Sequence, residues 1–176
     1  MYLMPGSTLL PYKGKSPTLG EGVFVASGAH IIGDTEIGAD SSIWFNTVIR
    51  GDCNYIRIGA RTNVQDGTVI HVTNSHYPTF IGDDVTIGHG AVLHGCRIGN
   101  MCLIGMGATV MDDVTIPERC LVAAGSLVPP GKTYQPGTLI RGNPAREVRP
   151  LTEKELADLE RSMRYYLEYK QGYMPQ

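Results

Sequence analysis

The sequence carries no surplus of basic charge: 15 Lys and Arg stand against 17 Asp and Glu in 176 residues, a net charge of −2. That removes the positive field on which nucleic-acid binding depends, so no nucleic-acid partner is expected. No apolar run approaches the roughly 18 residues that cross a bilayer, so no membrane partner is expected either. The start, Met1-Tyr2-Leu3-Met4-Pro5, lacks a basic segment followed by an apolar one, and no secretory leader is read there. With neither a leader nor a spanning run read, a soluble protein with reduced thiols and a cytoplasmic address is the expectation. A 3.6-residue apolar period is also missing from the body of the chain, which excludes a helical bundle.

Glycine, by contrast, is abundant, with 22 copies that recur in register. From Val25 an aliphatic residue returns at every sixth position: Val25, Ile31, Ile37, Ile43 and Ile49, then Ile58, Val64 and Ile70. Ile81, Ile87 and Leu93 follow, and Ile98 opens a final run that ends at Val128. A repeat this short is the signature of a parallel β-helix, in which three units make a triangular coil of about 18 residues. The aliphatic ladder faces inward, and glycine after the aliphatic residue suits turns with positive φ. The fold expected is all-β, a parallel β-helix of hexapeptide repeats with one C-terminal α-helix.

Residues 1–22, rich in Pro and Gly, read as an irregular lead-in with one strand around Ser7 to Leu10. The β-helix spans 23–130, an extended connection 131–150, and a helical segment 151–172. Thr152 and Glu155 are spaced as a capping box, and Leu156, Leu159, Met163 and Leu167 form one apolar stripe. Packing along the solenoid is the expected role of this helix.

The rhythm breaks between Ile49 and Ile58, between Ile70 and Ile81, and between Leu93 and Ile98. Histidines cluster at the last two breaks. His71 and His94 each follow an inward aliphatic residue and lie 23 residues apart. Subtracting the five-residue excess of the intervening loop leaves 18, one coil, so the two imidazoles should stack one above the other. His89 lies on the neighbouring face, and its own subunit cannot easily bring it round the corner. A second copy can supply it, which predicts a metal site at a subunit interface and a homotrimer with cyclic symmetry. Three imidazoles hold a zinc with the fourth position open; Fe²⁺ or Co²⁺ would suit the same donors. No cysteine or carboxylate falls at a matching ladder position, so the three histidines are the expected ligands. Cys53, Cys102 and Cys120 sit on small-residue rungs of the ladder.

Arg50-Gly51-Asp52, Asn63-Val64-Gln65-Asp66-Gly67, His71 and Gly88 through Cys96 together resemble the γ-class carbonic anhydrases and their close hexapeptide-repeat relatives. The resemblance spans nearly the whole chain. It implies a left-handed β-helix, a trimer, and zinc held by His71 and His94 of one subunit with His89 of its neighbour. The implied reaction is the reversible hydration of CO₂ to bicarbonate. Gln65 would hydrogen-bond the zinc-bound water, and Arg50 and Asp66 would belong to an interface ion-pair network beside Asp52. A purely structural salt bridge is the other reading of Arg50 and Asp52. Well-studied members have glutamate where this chain has Cys53 and Asn74 and are thought to relay protons through it. The proton would leave here through His76, buffer, Tyr165 or Tyr166. The subgroup most like this chain includes accessory proteins of carnitine and phenylacetate operons and ferripyochelin-binding-like proteins. Two further readings are therefore a metal-binding accessory or thioester-handling protein and an acyl-CoA-dependent acyltransferase.

Overall fold

A computed structural model describes residues 1–175. Each aliphatic residue of the repeat closes a short strand, and strands one coil apart pair in parallel. Val64, Ile87, Ile104, Val122 and Ile140 align on one face. Ile49, Ile70, Leu93, Val110 and Val128 align on a second. Ile58, Ile81, Ile98 and Ile116 align on the third. The ladder side chains are almost wholly buried and form one continuous core down the axis. Each contributes about 1.5–3 kcal/mol by leaving water, against the entropy of ordering its turn.

The glycines after the aliphatic residues serve a purpose different from the positive φ expected of them. A Cβ on Gly88 would lie 2.7 Å from the Met106 nitrogen, and one on Gly105 would lie 2.4 Å from the Ala124 nitrogen. They let successive coils approach at the corner, backbone to backbone. The left-handed positions are filled by other glycines, such as Gly67, Gly90 and Gly107, and by residues such as Asp40, Asn46 and Asp84, with φ near 60°. Short Asx side chains tolerate that region by bonding locally.

The solenoid also reaches further than its repeat. In the lead-in, Tyr2–Leu3 pairs with Phe24–Val25, Thr8–Leu10 with His30–Ile32, and Thr18–Leu19 with Glu36–Ile37. At the other end Thr138–Gly142 adds a rung beside Leu121–Val122, and Ala145–Pro150 folds back antiparallel on it. The breaks in rhythm become distinct structures. Val48–Ile58 is one long strand that turns the corner between two faces. Val72 to Thr79 forms a loop pinched by a Thr73–Tyr77 bridge. The short interval after Leu93 is a tight turn at Gly95, whose N–H donates to the His71 carbonyl.

The helix Glu153–Gln171 starts at the capping box: Thr152 accepts from the Glu155 N–H, and Glu155 accepts from the Thr152 N–H. Leu159 and Met163 are buried against the solenoid. At the far end Lys170 is 2% exposed. Its Nζ donates to the Gly22 and Asp40 carbonyls at 2.8 Å and to Asp40 Oδ1 at 3.2 Å. Hydrogen bonds from Arg149 and from the Thr152 backbone hold the Glu155 carboxyl down at about 2, against an ordinary 4.5. A depressed carboxyl stabilises the fold above its unfolded pKa and loses that contribution as pH falls toward its folded one. Helical circular dichroism should therefore weaken as pH is lowered from about 4.5 to about 2, and Glu155→Gln should remove that component. Identical acid titrations of variant and parent would contradict the assignment.

Candidate metal centre

His94 pairs directly with His71 across adjacent coils, as the one-coil spacing requires. Their rings sit 5.1 Å apart, with His71 Nδ1 facing His94 Nε2 at 3.1 Å. Each outer nitrogen meets a carboxylate: His94 Nδ1 lies 2.6 Å from Asp112 Oδ1, and His71 Nε2 lies 3.0 Å from Asp52 Oδ1. Burial presses Asp52 toward its neutral form, but hydrogen bonds from His71 and Arg50 outweigh that and hold it at about 2. Asp52 is thus a carboxylate at neutral pH and needs a donor. That places the His71 proton on Nε2, and the 2.6 Å contact with Asp112 places the His94 proton on Nδ1. The facing nitrogens then both present lone pairs.

Two facing lone pairs repel unless a cation lies between them. Zinc bonds of 2.0–2.1 Å at a tetrahedral angle set two ligand nitrogens roughly 3.3 Å apart, close to the spacing found. Carboxylates on the outer nitrogens are the usual support of metal-ligating histidines. The pair fits zinc as two of its ligands.

His89 does not join them within one chain. It sits in the turn after Thr86–Ile87, a strand of the nine-stranded sheet, whereas His71 and His94 belong to the eleven-stranded one. His89 Nδ1 is held by Asp66 Oδ2 at 2.7 Å, which leaves Nε2 free on a half-exposed side chain. Gln65 shares this face; it is buried, and its Nε2 donates to Asn63 Oδ1 at 3.1 Å. The terminal helix overhangs the face, closing a groove of about 380 Å³ that includes Trp44, Phe45, Asp66, His89, Tyr166 and Tyr169. Burial and the charge of Asp66 push Tyr166 up to about 12.

The expected site residues therefore fall into two groups on different faces. Arg50, Asp52, His71 and His94 make one, with Arg50 ion-paired to Asp52. Gln65, Asp66 and His89 make the other. Arg50 and Asp66 are not brought together in the single chain. By strand register the ladder positions next to the pair are Arg50 beside His71 and Met111 beside His94, neither a cysteine nor a carboxylate. Cys53 and Asp112 reach the imidazoles from off the ladder, Cys53 with Sγ 3.9 Å from His71 Nε2 and Asp112 at His94 Nδ1. The long corner strand and the tight turn at Gly95 bring them there, which a count along the aliphatic residues does not show.

A column of short parallel rungs closed by a capped helix defines a hexapeptide-repeat β-helix protein. The family described as bacterial transferase hexapeptide (six repeats) matches residues 16–51 and 95–130. The carbonic anhydrase of Geobacillus kaustophilus is 46% identical over 94% of this chain and 90% of its own length. Mitochondrial gamma carbonic anhydrase 2 of Arabidopsis thaliana is 43% identical over 93% of this chain; the match spans only 61% of that plant protein. A crystal structure from Bacillus cereus, described as a putative acetyltransferase, superposes with a TM-score of 0.93 at 44% identity, covering 96% of this chain and 97% of that one. The chain belongs to the γ-class carbonic anhydrase family of hexapeptide-repeat proteins.

Proposed function

We propose that this chain is one subunit of a homotrimer that reversibly hydrates CO₂ to bicarbonate, with zinc held by His71 and His94 of one subunit and His89 of the next. The observation that carries this reading is the facing pair of nitrogens, 3.1 Å apart and each backed by a carboxylate. When bound, zinc lowers the pKa of water from 15.7 to about 7 and so supplies a nucleophile at neutral pH. The chain's residues do the rest. Asp112 and Asp52 fix the ring tautomers, and Asp66 does the same for His89, keeping its Nε2 free for the interface. Gln65, anchored through Nε2, offers its carbonyl oxygen to orient the attacking water. Arg50 and Asp66 would meet across the interface rather than within a subunit.

A proton must leave each cycle, and a relay works best with a pKa near the working pH. Tyr166, pushed up to about 12, is poorly matched to that task. His76, exposed in the loop beside Thr73, the exposed Tyr165 and buffer remain as the exit. Fe²⁺ or Co²⁺ would be accepted by the same nitrogen donors. A cytoplasmic setting suits the four free thiols, and no helix among the described residues is long and apolar enough to cross a membrane.

Stopped-flow CO₂ hydration on zinc-loaded and Fe²⁺-loaded protein tests the proposal, with His94→Ala as control. Metal-dependent hydration that vanishes in the variant is the expected result. Bound metal without hydration would sink the hydratase reading and favour the accessory or thioester-handling role. Absence of metal together with acetyl transfer from acetyl-CoA would favour the acyltransferase, the activity suggested by the description of the Bacillus cereus structure.

A further inference from the structure

His71 has two ring nitrogens, and the reading above engages only Nδ1 with a metal. Its Nε2 points the other way, 3.0 Å from Asp52 Oδ1 and 3.9 Å from Cys53 Sγ. One ligand atom from each of these three residues lies within 4.8 Å of the others. The long corner strand Val48–Ile58 creates this grouping, because its extra residues bring the Asp52 and Cys53 side chains beside the imidazole of the next coil.

We propose that Asp52, Cys53 and His71 form a second cation site for a thiophilic divalent ion such as zinc, with the His71 imidazole bridging it to the ion shared with His94. A tetrahedral zinc with nitrogen, oxygen and sulfur ligands sets N and O roughly 3.3 Å apart and N and S roughly 3.5 Å apart. The observed 3.0 and 3.9 Å need adjustments of less than about half an ångström. Arg50 holds Asp52 through Oδ2, which leaves Oδ1 aimed at the site. Three ligands leave one position open to solvent, and the thiol selects a softer ion than the histidines alone would. When the first ion already sits on Nδ1, binding here releases two protons, one from the Cys53 thiol and one from His71 Nε2. Thiolate, imidazolate and carboxylate then face the cation.

Titration of the full-length protein with Co²⁺ or Cd²⁺ tests this. The expected result is about two ions per chain, with a thiolate-to-metal charge-transfer band in the ultraviolet. Cys53→Ser should reduce binding to about one ion and abolish the band. His94→Ala should keep the band, since the three ligands of the outer site remain. A single ion per chain with no thiolate band would overturn the proposal, as would a band that survives Cys53→Ser. The bridge rests on the His71/His94 site, whose failure reads differently: Cys53→Ser would then bind no ion while the parent still shows the band.

Discussion

Subunits carrying His89→Ala and subunits carrying His94→Ala are each expected to hydrate CO₂ no faster than buffer, yet to recover activity when assembled together. His94→Ala removes one member of the stacked pair from every subunit, and His89→Ala removes the ligand offered to the neighbour. In the proposed cyclic trimer each site would draw its pair from one subunit and its third histidine from the next. A mixed ring of either composition therefore contains one interface with all its ligands. Random one-to-one assembly makes about three quarters of the rings mixed, so about a quarter of all sites are whole. Unfractionated assemblies should recover about a quarter of the parental rate in a stopped-flow assay, and mixed rings purified through two different tags about a third, one whole site in three. Mixed rings without activity, or full activity in His89→Ala alone, would rule out ligand sharing between subunits.

Asp112→Asn should weaken zinc binding by about 10–100-fold, the usual cost of removing a supporting carboxylate. Asp112 accepts from His94 Nδ1 at 2.6 Å and from the Thr73 hydroxyl at 2.9 Å. The amide can still accept from Thr73, so the loop keeps its shape. At His94 the amide can instead donate, which stabilises the tautomer carrying its proton on Nε2. That nitrogen is the one facing His71, and a protonated nitrogen cannot bind metal. Competition with a calibrated chelator measures the change, and unaltered affinity would show that Asp112 does not set the tautomer.

Much of this is legible in the sequence. The six-residue return of aliphatic side chains dictates the three faces, since each short strand turns its ladder residue to the axis. The stacking of His71 on His94 follows from the same arithmetic once the loop excess is removed, and the capping box at Thr152 is a local signal that needs no tertiary context. Other features depend on contacts between coils. Residues 1–22 have no regular period, yet their strands are templated by the exposed edge of the coil above them. The glycine at position 88 looks like a turn residue, but what it meets is the backbone of the next coil. Asp112 carries no motif of its own and lies one position past the rung beside His94, so only the folded contact marks it. The aromatic cluster of Trp44, Tyr166 and Tyr173 joins residues more than a hundred positions apart, beyond the reach of any periodicity.

The buried end of Lys170 changes how the whole column comes apart. A stack in which each coil touches only its neighbours behaves as a one-dimensional chain of units and can fray from either end. The helix begins against the late coils, where Leu159 packs with Leu139 and Leu151, and ends with Lys170 bonded to carbonyls of Gly22 and Asp40 in the early ones. Its 19 residues span about 28 Å, close to the rise of six coils at about 4.8 Å each. The first and last units are thus coupled to each other as well as to their neighbours. Opening at one terminus strains the other, which turns a ladder able to melt rung by rung into a single cooperative unit.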